Sequence, residues 1–325
     1  MRRRRGEDGT VRRHPIYLGL SLCLSVACSS GSPSPPQTLD DLKALPIARQ
    51  PNAVRLPGAA GRIAFVSDAD GDLEIFVMDA DGTGVRQITF NESPDFTPSW
   101  SPDGSRIAWA AERNGNADVY AMDHDGTDVV RLTSHPSADF SPAWSPVGDR
   151  IAFQSTRDGD SNLFVMASDG SKVRRLTRSL ALDAAPNWSP DGSRIAFARG
   201  RIGEFDIFVM DVAGTHARRL TRSHGEDDKP SWSPDGGTLA FQSKRGGRFQ
   251  IDLMAPDGSN RRRITNTTSD EVLPTWSPDG RWIVFDSTRD GNLELYVMSL
   301  ESAAAIRLTD RPSSGDGVAD WTGAA

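Results

Sequence analysis

Thiols are nearly absent from this chain: among 325 residues there are two cysteines, Cys23 and Cys28, and none follows. Beyond Cys28 the sequence therefore excludes disulfides, zinc–thiolate centres and a cysteine nucleophile. Long apolar runs are missing as well. The longest, Ile16 to Ala27, covers 12 residues, short of the roughly 20 that a membrane-spanning helix requires. There is no Gly-x-Ser-x-Gly elbow, and His124, His135, His216 and His224 stand too far apart to form a metal-ligand motif, which leaves the usual hydrolase and metalloprotease signatures unmatched. Nor is there a basic surplus. The net charge is −7, a poor balance for nucleic-acid binding.

The N-terminus is basic where the rest is acidic. Arg2 to Arg5, Arg12 and Arg13 precede the Ile16 to Ala27 stretch, the order of a secretory signal. Its end, Leu24-Ser25-Val26-Ala27-Cys28, resembles the lipobox of bacterial lipoproteins, with Ser25 departing from the usual leucine. That resemblance implies lipidation at Cys28 and, with Ser29 and Ser30 following, passage to the outer membrane. Ser29 to Pro36 (Ser-Ser-Gly-Ser-Pro-Ser-Pro-Pro) is too polar and proline-rich to pack, and it reads as a tether. The expected division is a signal peptide over 1–27, a lipidated N-terminus and linker over 28–56, and one folded domain over 57–325.

That domain is a tandem repeat. Trp100, Trp144, Trp188, Trp232 and Trp276 each open Trp-Ser-Pro at a spacing of 44, and Trp321 follows 45 later. Each unit continues with an apolar-Ala-aromatic triplet such as Ile107-Ala108-Trp109 or Ile195-Ala196-Phe197, a strand ending in methionine (Met78, Met122, Met166, Met210, Met254, Met298), an Asp-Gly turn in most, and a closing Leu-Thr or Ile-Thr. Short strands at such a period predict blades of a β-propeller, since one four-stranded unit cannot bury both its faces alone. Six units predict six blades. The surplus Val318-Ala319-Asp320-Trp321 is expected to supply the inner strand of blade one and so close the ring without open edges.

The repeat Pro-x-Trp-Ser-Pro-Asp-Gly-x-x-Ile-Ala-Phe, followed by Phe-Val-Met-Asp and Arg-Leu-Thr, resembles the WD40-like propeller repeat of the TolB family. The resemblance implies an all-β propeller that binds a protein or peptide in the bacterial envelope, such as a peptidoglycan-associated lipoprotein, as a monomer on the periplasmic side of the outer membrane. Residues 29–56 are too few to supply the α/β domain that precedes the propeller in TolB.

An acid stands five residues before each of these six tryptophans: Asp95, Asp139, Asp183, Asp227, Glu271 and Asp316. With the tryptophans on inner strands, the acids should ring one mouth of the central channel. Arg113, Arg157, Arg201, Arg245 and Arg289 follow their tryptophans by 13 residues, in turns on the same face. Unpaired carboxylates about 8 Å apart would repel by about 2 kcal/mol at an effective dielectric of about 20. Three remedies fit the pattern: the arginines pair with the acids, a cation such as Ca²⁺ binds, or a basic partner does. The arginines could instead pair with Asp118, Asp206 or Glu294 across their own hairpins. No cofactor is otherwise implied. Asp68-Ala69-Asp70-Gly71-Asp72 lacks the glycine and glutamate positions of an EF-hand and reads as a solvated turn. His135 and His224 fall in entry loops on the acid face, which leaves a metal-dependent carbohydrate lyase or hydrolase as the competing function.

Overall fold

The computed structural model describes Leu56, residues 59–223 and residues 225–323. The signal segment, Cys28, the linker and His224 lie outside the described residues. Every regular element is a strand, and the strands form six four-stranded antiparallel sheets. Blade two is representative: inner strand Asp95–Trp100, then Arg106–Arg113, Asn116–Asp123 and the short outer strand Val130–Arg131. In blade one the inner strand is the C-terminal Asp316–Thr322, which pairs with Arg62–Ser67. The expected closure is present.

The blades join through a small-against-large fit. Ala108 of blade two packs with Ile151 and Phe153 of blade three, Ala152 with Ile195 and Phe197, and Ala196 with Leu239 and Phe241. The middle alanine leaves room on one face for the large pair of the next blade, which is how interiors reach close packing. The methionines are all buried within these seams, as adaptable filler. The repeated threonine has a separate task. Thr89, Thr133, Thr177, Thr221, Thr265 and Thr309 each accept a hydrogen bond, at 2.8–3.0 Å, from a backbone N–H within the third strand.

Each inner strand carries a bulge that the sequence reading did not anticipate. Thr97, Ser141, Ala185, Lys229, Leu273 and Val318 have φ between 50° and 56°, where non-glycine residues are uncommon, and the pairing register shifts at each of them. In blades two to six a proline follows, which suits a bulge because it has no N–H to offer the ladder. The bulges turn these residues toward the axis. They line a cavity of about 130 Å³ in which Lys229 is the one charged lining residue.

Strand direction alternates, so the two faces differ. The Trp-Ser-Pro turns lie on one face together with both ends of the described chain. There Arg62 pairs with Thr322, and the Trp321 indole donates to the Ala60 carbonyl at 3.1 Å. The inner strands begin on the other face.

Candidate functional site

The six acids open the inner strands on that second face, and each is fully buried. Arg113 reaches Asp95 at 2.7 Å, Arg157 reaches Asp139 at 2.8 Å, and Arg289 reaches Glu271 at 2.8 Å, from the turns expected of them. Arg201 and Arg245 do not do this. They are exposed and make no ion pair among the described residues; Asp183 is held instead by Arg199 at 2.5 and 2.9 Å, and Asp227 by Arg261 at 2.7 and 2.9 Å. Asp316 takes Arg311 at 3.5 Å. The hairpin alternative also fails for the turn arginines, because Asp118, Asp206 and Glu294 pair with Arg131, Arg219 and Arg307 of the outer strands.

The six arginines that hold the acids share a second contact. Each guanidinium lies over an aromatic ring of its own blade: Arg113 over Tyr120, Arg157 over Phe164, Arg199 over Phe197, Arg261 over Phe241, Arg289 over Tyr296 and Arg311 over Phe76, at 4.2–5.8 Å from the ring centre. Four are further fixed by a second-strand serine: Ser67, Ser155, Ser243 and Ser287 accept from Arg311, Arg157, Arg261 and Arg289 at 2.7–3.1 Å. In blade four Arg199 stands where these serines stand. The sequence signal for it was that loss of serine at a repeat position.

These stacks change the electrostatics expected of the mouth. The carboxylates are sealed beneath guanidinium groups, and the arginine side chains, 11–29 % exposed, are the members nearest solvent. The ring clamps the entry loops. Asp316 has the longest ion pair, and burial pushes its carboxyl up to about 6 against the pull of Arg311.

The groups free to meet a ligand lie around the rim. Leu180 is 97 % exposed and Ile202 is 56 % exposed. Both lie just beyond the paired Leu182 and Gly200, at the same end of blade four. Arg178, Arg201, Arg222 and Arg245, all exposed and without a partner among the described residues, stand in the loops and at the strand ends of blades three to five. His135 is engaged locally: its Nδ1 accepts from the Ser137 N–H at 3.1 Å.

A family model described as the TolB beta propeller domain matches residues 55–138, 94–184, 132–222 and 180–269. The Tol-Pal system protein TolB of Geobacter sulfurreducens is 48% identical over 44 residues, 14% of this chain and 10% of that protein. Its Geobacter metallireducens counterpart is 50% identical over 44 residues, again 14% and 10%. The matched stretch is thus about one repeat, a tenth of the length of these relatives. Among solved structures, TolB from Acinetobacter baumannii superposes with a TM-score of 0.71 at 23% identity, covering 85% of this chain and 68% of that one. An oligogalacturonate lyase in complex with manganese superposes at 0.56 and 16% identity, covering 76% and 73%. Likeness at these identities speaks for the fold alone.

Proposed function

The chain belongs to the TolB β-propeller family, and from that premise we propose that it is a binding scaffold of the bacterial envelope, held to the membrane through Cys28. It takes a protein partner on the face where the inner strands begin. The observation that carries this reading is the rim of blade four. Two large aliphatic side chains, Leu180 and Ile202, stand in solvent beside arginines that have no partner among the described residues. Exposed aliphatic side chains flanked by arginine suit a protein-binding surface, with arginine the member that binding hot spots favour. The buried acid–arginine stacks support the same reading, since they hold the loops in one geometry and lower the entropy cost of binding.

The partner segment would carry apolar side chains and acidic residues, the complement of this rim. Relatives named as Tol-Pal system proteins suggest that it is an envelope protein. The test is a pull-down from envelope extract with the wild type and with the double variant Leu180→Asp, Ile202→Asp, both checked for an unchanged melting temperature. A protein retained by the wild type and lost by the variant supports the site. Equal recovery by both would remove blade four from consideration.

A further inference from the structure

Every blade but one carries an arginine in its outer strand at the same repeat position: Arg131, Arg175, Arg219, Arg263 and Arg307. Thirteen residues earlier, blades two, four and six carry the acids that this arginine neutralises, Asp118, Asp206 and Glu294, while blades three and five carry neutral Asn162 and Gln250. Blade one breaks the rule. It keeps the acid, Glu74, fully buried, but has Gln87 in place of the arginine.

The same blade adds charge of the wrong sign. In blade six the turn leading to the acid is Asp290-Gly291-Asn292-Leu293-Glu294; in blade one it is Asp70-Gly71-Asp72-Leu73-Glu74. Asn292 donates to Glu294 at 2.9 Å, whereas Asp72 has nothing to donate. The carboxylates of Asp70, Asp72 and Glu74 offer oxygens that lie within 4.8 Å of one another. Asp70 Oδ1 and Asp72 Oδ2 are withdrawn from solvent without any hydrogen-bond donor. The neighbours of the other oxygens are neutral: Gln87 Nε2 donates to Asp70 Oδ2 at 2.5 Å, and Asn91 donates to Glu74 through its backbone N–H at 2.6 Å and its Nδ2 at 3.2 Å. Glu74 is fully buried and Asp70 and Asp72 are half-buried, and among the described residues no guanidinium forms an ion pair with any of the three; carboxylates so placed are costly without a cation.

We propose that Asp70, Asp72 and Glu74 bind a divalent cation of the hard, oxygen-seeking class, foremost Ca²⁺, in the place where the other blades put a guanidinium. Three carboxylates and no sulfur or imidazole favour such an ion over zinc or copper. Asp70 Oδ1 and Asp72 Oδ2 are already free to ligate, Glu74 supplies the buried side, and water completes the shell from the exposed Gly71 side. The ion would tie the turn over 68–73 to the loop bearing Asn91, which also donates to Asp95 at 2.9 Å. It would therefore stiffen the mouth beside the ring closure.

Gln87→Arg restores the repeat's own cation, and that makes the test specific. The full chain is melted at pH 7.5 in EDTA and in increasing CaCl₂, with MgCl₂ in parallel, and CaCl₂ binding is followed by titration calorimetry. The expected result is one saturable site and a rise of about 2–5 °C at millimolar Ca²⁺. Gln87→Arg and Asp72→Asn should each melt at or above the wild type in EDTA and lose the Ca²⁺ response. Should one variant fail to fold, the other decides. No response in the wild type, or an equal response in wild type and variants, overturns the proposal.

Discussion

A guanidinium on a long side chain can reach one carboxylate from several backbone positions, and the six blades use four of them. Arg113, Arg157 and Arg289 come from one repeat position, at the end of the second strand or in the turn just after it, Arg199 from within the second strand, Arg261 from just before the outer strand and Arg311 from just after one. What recurs is the buried acid, the arginine and the ring beneath it; the arginine's position varies. That is why the acids were legible from spacing while half of their partners were not. Removing one member should cost more than a surface pair would, because the other is left partly buried and uncompensated. Asp139→Asn, beneath Arg157, is expected to destabilise the domain by about 2–4 kcal/mol, read as a lower denaturation midpoint. An unchanged midpoint would mean that Asp139 is not structural and return it to the list of ligand-binding groups.

The inner strand is the element in which sequence reading did best and also missed most. Tryptophan spacing located all six strands and the crossover that closes the ring, because side-chain burial at a fixed period is a strong signal. The bulge escaped notice, since a left-handed residue leaves no compositional trace when that residue is Thr, Ser, Ala, Lys, Leu or Val. The closing strand also has a peculiarity of charge. Asn187 Oδ1 accepts the Trp232 N–H at 2.8 Å across one seam, and Asp320 Oδ2 accepts the Trp100 N–H at 2.6 Å across another. Burial raises Asp320 to about 6, outweighing the backbone donors that favour its charge. Its contribution to stability is therefore fully present below about pH 4 and lost as pH rises through about 6. Asp320→Asn should match the wild type near pH 4 and exceed it at pH 7.5 by up to about 3 kcal/mol. Melting curves across that range check it, and a constant offset at every pH would contradict the assignment.

For the whole molecule, two neutralised layers make the ring rigid: apolar seams between blades and acid–arginine stacks at the mouth. The rim proposed to bind a partner includes Leu180 and Ile202, which recur in no other blade and so leave no trace in the periodicity, whereas Arg178 and Arg222 share one repeat position. Attachment to the membrane is expected to depend on Cys28. A single acyl chain holds a protein only weakly and several hold it firmly, so fatty-acid label and membrane association should both disappear in Cys28→Ala; equal labelling of the two proteins would eliminate this anchor.

Both ends of the described chain leave from the Trp-Ser-Pro face, beside the Arg62–Thr322 pair. An object joined directly at the ends of the described chain, at Ala59 or Gly323, therefore sits on that face, with the arginine-edged rim turned away from it. Surface-coupled protein should keep its whole recognition face accessible when fixed at either of these ends. Random coupling through lysines would not respect that polarity, because Lys244 stands on the strand that leads to the Arg245 rim turn.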